Sequence, residues 1–195
     1  ILIIPTTGKL KLNPGTATRP DDGYRSRYSH QTEISRPGYY EVVLSDYGIK
    51  AQLSATRRAG IHKYTFPKDS KEQRIVLDLI HGIYNYDGKV LWSSLRVEND
   101  TLLTGYRITN GWARTNYTYF AISFSKPIIN YGCDEKAKVN YRGGYGKFDM
   151  KHNFPDMGGR KLVSYFEFSP ESGNELEVKV ALSAVSPEGA LKNLE

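Results

Sequence analysis

PGYYEVVLSDYGIKAQLSATRRAGIHKYTFP, residues 37–67, is the stretch from which the fold is read. YYEVVL (39–44) runs into Ser45-Asp46-Tyr47-Gly48, a composition suited to chain reversal. Beyond it Ile49, Ala51, Leu53 and Ala55 alternate with polar neighbours. Alternation with a period of two sets one face of a strand on a core and the other in water, so the two runs predict a hairpin of antiparallel strands. Ala59-Gly60 admits a second reversal or a bulge, and Ile61, Lys63, Tyr64 and Phe66 continue as strand to Pro67. Arg57 and Arg58 fall between these runs. Adjacent strand residues point to opposite faces, so the pair cannot clasp one ligand unless a bulge intervenes. Two readings stay open: Arg58 or His62 projects towards a partner, or the arginines pair across strands with acids such as Glu41.

The same texture extends along the chain. Strands are expected at 74–80, 90–98, 101–109, 118–125, 161–168 and 175–184, with turn residues at Asp87-Gly88, Glu98-Asn99-Asp100, Asn110-Gly111 and Ser172-Gly173-Asn174. Short strands, tight turns and almost no helical periodicity predict an all-β, antiparallel β-sandwich. Gly143, Gly144 and Gly146 mark a loop. Ser186 and Pro187 form a helix start, so residues 1–185 are expected to be the sandwich and 186–195 the beginning of a linker helix. The chain begins with Ile1 rather than Met and its opening lacks the character of a signal peptide, which leads us to expect a piece of a longer protein.

Composition narrows the function classes. One Cys, Cys133, excludes an internal disulfide and a thiolate zinc knuckle, and no apolar window is long enough for a membrane span. The net charge of +6 invites a nucleic-acid reading. Residues 1–74 hold 13 Lys or Arg against 7 Asp or Glu, however, and the rest of the chain holds 14 of each, with no basic run longer than Arg57-Arg58. Dispersed bases of this kind are solvated strand faces, and no nucleic-acid partner is expected. The triplets at 99–101 and 116–118 match a glycosylation pattern and are read as surface turns.

Catalytic motifs are scarce. His30, His62, His81 and His152 lack metal-site spacing, so no metal is expected. The glycines at 143–146 lack the Lys-Ser/Thr of a phosphate loop, and no Gly-x-Ser-x-Gly occurs. Glu33, Asp78 and Glu167 are the acids to examine for convergence in a cleft, although strand acids usually face water. Trp92, Trp112 and the tyrosines have the chemistry of a stacking platform for sugar rings, or of sandwich core.

Taken together, RSRYSHQTE (25–33), the 37–67 stretch, Gly111-Trp112, YFAISFSKP (119–127) and VKVALSAVSPEGALKNLE (178–195) resemble the N-terminal domain of glycoside hydrolase family 92, bacterial exo-acting α-mannosidases. The resemblance implies a supersandwich-type β-sandwich packed on a C-terminal (α/α)6 barrel. It further implies calcium-dependent removal of terminal mannose from α-mannoside glycans, with inversion, by an α-1,2-mannosidase of the periplasm, cell envelope or secreted space. Calcium and both catalytic carboxylates then belong to the barrel, and no catalytic residue is expected in this chain. Gln31 and Thr32 stand where the family usually reads Ser-His-Glu-Asn-Glu, and the family's Ser-His-Thr-His-Leu-Ser-Gly stretch precedes the segment matching Ile1. Arg27, Tyr28, His30, Glu33, Arg58, His62 and Trp112 are the residues expected to meet substrate or the barrel. Segment 24–33 is the expected docking loop, or else a loop held to its own sheet by Arg25 and Glu33. The alternative function is a stand-alone carbohydrate-binding module.

Overall fold

The computed structural model describes residues 1–84, 86–134 and 155–195. The loop expected at Gly143, Gly144 and Gly146, and His152, lie outside the described residues. In chain order the strands are β1 (Leu2–Thr6), β2 (Ile34–Arg36), β3 (Tyr39–Leu44), β4 (Ile49–Ala55), β5 (Ala59–Thr65), β6 (Gln73–Asp78), β7 (Val90–Asn99), β8 (Leu102–Thr109), β9 (Asn116–Phe124), β10 (Ile128–Cys133), β11 (Asp156–Gly159), β12 (Val163–Phe168) and β13 (Glu175–Ser183), followed by helix α1 (Pro187–Leu194). They form a four-stranded sheet, β1-β6-β12-β10, and a nine-stranded sheet, β11-β7-β8-β9-β13-β5-β4-β3-β2. Every described pairing is antiparallel.

The hairpin expected from the 37–67 stretch is present, with Tyr40 opposite Leu53 and Leu44 opposite Ile49, and Gly48 turns with φ +62°. The second reversal differs from expectation. Ala55 pairs Gly60 and the Thr56 amide donates to the Ala59 carbonyl at 2.8 Å, so Arg57 and Arg58 occupy the tip of the turn and Ala59-Gly60 is regular strand without a bulge. The question of opposite strand faces therefore does not arise for the two arginines.

Inward residues of both sheets build one core from Ile49, Tyr64, Phe66, Leu77, Leu95, Leu103, Phe120, Phe166, Phe168 and their neighbours. Each fully buried aliphatic or Phe side chain contributes about 1.5–3 kcal/mol. A second cluster on the outer face of the small sheet joins Tyr24, Val76 and Val163 to Leu2, Ile4, Leu12 and Ile80. Strand β6 is thus buried on both faces, which is why RIVLDLI reads as a continuous apolar run rather than an alternation. Its strand ends at Asp78, two residues short of expectation, because the Asp78 side chain accepts the amides of Ile80 (2.6 Å) and His81 (3.0 Å) and turns the chain.

Strands β1, β2, β10 and β11 escaped sequence reading. All four are sheet-edge strands, and they carry little alternation: β1 holds Pro5, tolerated at an edge, and β11 is Asp-Met-Gly-Gly. Helix α1 forms where Ser186 and Pro187 predict it, the Ser186 hydroxyl accepting the Gly189 amide at 3.1 Å. It packs on β13, β9 and β8, and its Ala190 is fully buried.

One glycine tests the packing. A Cβ on Gly105 would lie 2.3 Å from the Ser94 carbonyl oxygen and 2.4 Å from the Phe120 ring. Gly105→Ala should therefore lower stability by about 1–3 kcal/mol, the usual effect of overpacking. Urea denaturation measures it, and an unchanged midpoint would contradict this packing.

Candidate functional site

The expected site residues fall into separate groups. Ser29 caps a short 3-10 turn at His30–Thr32, its hydroxyl accepting the Gln31 amide, and the turn brings His30 back against Glu33. His30 Nδ1 lies 2.5 Å from one Glu33 oxygen, and the Tyr40 hydroxyl donates to the other at 2.6 Å. Tyr28 meets the His30 ring edge-on at 5.6 Å. The Tyr40 hydrogen bond, then that of His30, holds the Glu33 carboxyl below its ordinary value, and Tyr40 is pushed up to about 12 by the same contact. Tyr28 is 53% exposed and the His30 side chain 84%, so neither is absorbed into the domain's own core.

Arg27 stands apart from this cluster, its Nε donating to Asp46 at 2.8 Å and its Nη2 to Asp21 at 2.7 Å. Among the described contacts Arg25 makes no ion pair with Glu33, whose two oxygens meet His30 and Tyr40. Tyr24, at the start of the expected docking loop, is 1% exposed and donates its hydroxyl to Asp78, so it belongs to the small sheet's outer cluster. The surface-lying part of the loop begins after it.

His62 faces inward between Leu53 and Val178, and its Nδ1 hydrogen-bonds the buried Tyr64 hydroxyl at 2.7 Å. Burial lowers its pKa and raises that of Tyr64. Arg58 reaches Asn193 of α1 at 3.4 Å. The expected cross-strand partner, Glu41, is occupied by Tyr39, Gln52 and Lys50. Trp112 is fully exposed in the turn after β8, whereas Trp92 is half-buried with its ring against Gly158.

Strand direction gathers several of these side chains. Strands β11, β8, β13 and β4 run one way in the large sheet and their neighbours run the other. The turn with Arg57 and Arg58, the turn with Trp112, the described residues 86–89 before β7 and the start of α1 therefore all lie at one end of the sheet. Tyr84 (78% exposed) and Tyr86 (52%) stand in the stretch leading to β7, the Tyr86 hydroxyl donating to the Asn110 carbonyl. Sequence reading counted them among the tyrosines without singling them out, although IHGIYNYDG, apolar-aromatic yet rich in turn residues, was the available signal.

The three acids do not converge. Glu33 sits with His30 and Tyr40. Asp78 is buried with Tyr24 and two amides, and Glu167 is bound by Arg74 at 2.8 Å and Asn130 at 2.8 Å. Among the described residues no three His, Cys, Asp or Glu side chains gather as metal ligands. No described helix is long and apolar enough to cross a membrane.

A profile of the glycosyl hydrolase family 92 N-terminal domain matches residues 1–183. The chain is similar to the solved family GH92 α-mannosidase BT3965 of Bacteroides thetaiotaomicron in complex with mannoimidazole, with 38% identity and a TM-score of 0.85 over 99% of this chain and 24% of that one. It is similar to the family GH92 inverting mannosidase BT2199 of Bacteroides thetaiotaomicron VPI-5482, at 28% identity and TM-score 0.72, covering 98% of this chain and 22% of that one. A third similar structure is the GH92 family glycosyl hydrolase ccman5, at 25% identity and TM-score 0.74, with 98% and 24% covered. The chain thus spans about a quarter of the length of these solved relatives. No curated protein matches it.

The half-buried His62 makes stability pH-dependent. Because burial makes the folded protein the weaker proton binder at this ring, stability is greatest above the ordinary histidine value of 6.5 and falls as the pH drops below it. One such group adds a slope of no more than about 1.4 kcal/mol per pH unit. Denaturation midpoints of the protein and of His62→Asn between pH 8 and pH 5 should converge as the pH falls; a constant difference would contradict the burial argument.

Proposed function

The chain belongs to glycosyl hydrolase family 92 as its N-terminal domain, and from that membership we propose that it forms one wall of the sugar cleft in an exo-acting α-mannosidase whose acid, base and calcium site lie in a C-terminal barrel. The reaction is hydrolysis of terminal α-mannosides, α-1,2-linked by the family resemblance, with inversion. Inversion needs one carboxylic acid to protonate the leaving oxygen and a second carboxylate, about 6.5–9.5 Å away, to activate water on the opposite face. Calcium, bound to the partner domain, would supply a fixed positive charge for sugar hydroxyls. No step in this chain runs through it.

The observation that carries this reading is the state of the acids. Glu33, Asp78 and Glu167 lie in three separate hydrogen-bond sets, each committed to its own neighbours. Among its exposed side chains are aromatic and basic ones: Trp112, Tyr84 and Arg58 at one end, and Tyr28 and His30 beside the β2–β3 edge. Tyr, Trp and Arg are the types that serve contact surfaces best, and an aromatic face suits the C–H face of a pyranose. The proposed site of action is periplasmic, envelope-associated or secreted, where mannoside glycans are met.

A stand-alone carbohydrate-binding module is the second reading, favoured by the fully exposed Trp112. The two part on one assay. This chain alone should not hydrolyse aryl α-mannosides with or without calcium, while the full-length protein should release β-mannose, seen as the initial anomer by NMR. In the full-length protein His30→Ala should lower kcat/KM roughly tenfold, the loss of one polar contact in the transition state. Turnover by this chain that Glu33→Gln abolishes would overturn the placement of the acid and base, and release of α-mannose would overturn inversion.

A further inference from the structure

The outward face of the large sheet carries an aromatic surface on β7, β8 and β9. Register sets Trp92, Ile108 and Tyr117 side by side in one row, and Ser94, Tyr106 and Tyr119 in the next. Alternation turns both rows away from the core, which takes Leu95, Leu103 and Phe120 of the same strands. The Tyr117 and Tyr119 rings are nearly parallel, 14° apart with centroids at 6.0 Å, and Tyr106 lies 6.5 Å and 6.0 Å from them. Trp92 extends the surface towards β11, where a Cβ on Gly158 would stand 3.3 Å from its indole. Neighbouring strands lie about 4.8 Å apart, so the surface spans roughly 10 Å from β7 to β9. Helix α1 bounds it at β13, where Ser183, the neighbour of Tyr119, lies against Gly189.

Two properties decide what such a surface takes. Neither row holds a charged side chain, and Arg96 in the following row is paired with Asp156 at 2.7 Å. The hydroxyls of Tyr106, Tyr117 and Tyr119 make no hydrogen bond among the described residues and none is sealed from solvent, whereas those of Tyr39, Tyr40 and Tyr47 are bonded within the chain. A neutral surface gives no grip on a polyanion. Flat rings with free hydroxyls at their edges match a neutral polyol, whose C–H face packs on the rings while its hydroxyls bond at the rim. The span admits linked pyranose rings in succession.

We propose that Trp92, Tyr106, Tyr117 and Tyr119 are a stacking platform for a neutral glycan chain. The platform stands on its own geometry; only the choice of mannose rests on the glycosidase reading. Affinity electrophoresis of the full-length protein through gels containing α-mannan reads the binding, with saturating mannoimidazole present so that a mannosidase centre does not contribute. Retardation is expected. Tyr117→Ala, at a 43% exposed position whose truncation leaves the core intact, should weaken it roughly fivefold, the loss of one ring–sugar stack, and Tyr117→Phe should restore most of that loss. Equal retardation in a neutral β-glucan gel leaves the platform standing without the mannose, and absence of aryl α-mannoside hydrolysis by the same protein counts against the glycosidase reading alone. Absence of retardation in both gels, or retardation that Tyr117→Ala leaves unchanged, overturns the proposal. Retardation of residues 1–195 alone that the full-length protein lacks also overturns it, because the face is then covered by the rest of the enzyme.

Discussion

The fold depends on β6, a strand buried on both faces that nevertheless carries two charged residues. Arg74 is bound by Glu167 and the Gly8 carbonyl, and Asp78 by the Tyr24 hydroxyl and the amides of Ile80 and His81. Each is satisfied by a different part of the chain: the neighbouring strand, the segment leaving β1, the loop that covers the small sheet and the loop leading to β7. A buried polar group left without its partner costs on the order of 1–3 kcal/mol, more when charged. The two side chains therefore specify how four separate segments assemble around one central strand.

From that strand the rest follows by layers. The small sheet covers the inner face of the large one, and the nine strands of the large sheet extend well past it, leaving the β2–β5 edge and the end with Arg58, Trp112 and Tyr84 in less covered positions. Arg107 connects the two layers, since it stands on β8 and grips the carbonyls just beyond β6. The core thus reaches directly to the loops that a partner or ligand would meet, which is how a rigid sandwich positions surface chemistry.

Several bases of the first part of the chain are held in separate ion pairs. Arg27 joins Asp21 and Asp46, Lys50 joins Glu41, Lys63 joins Glu175 and Arg74 joins Glu167. The exposed pairs among these contribute little stability each, unlike the buried Arg74–Glu167 pair, and they leave no continuous stripe to track a polyanionic backbone. Lys89, Arg160 and Lys161, which line one surface groove, all lie in the balanced part of the sequence after residue 74.

Local signals determined the all-β class, the hairpin at 39–55, the interior strands of the large sheet and the Ser186 helix start, because alternation, turn chemistry and a cap are complete within a few residues. The motif-level likeness of 37–67 determined the family, since a long ordered match needs no geometry. The edge strands were invisible because pairing on one side only leaves weak alternation in Pro- and Gly-containing segments. The sequence named Tyr28, His30, Glu33, Arg58, His62 and Trp112, but not which of them meet. Tertiary structure decided that Glu33 belongs to Tyr40 and His30 rather than Arg25, that Arg58 reaches α1 rather than Glu41, that Tyr24 is core, and that Arg107 binds the Leu79 and His81 carbonyls. Each of these is a choice between partners distant along the chain. Residue type sets what a side chain can bond, and only the packing of distant strands sets what stands within 3 Å of it.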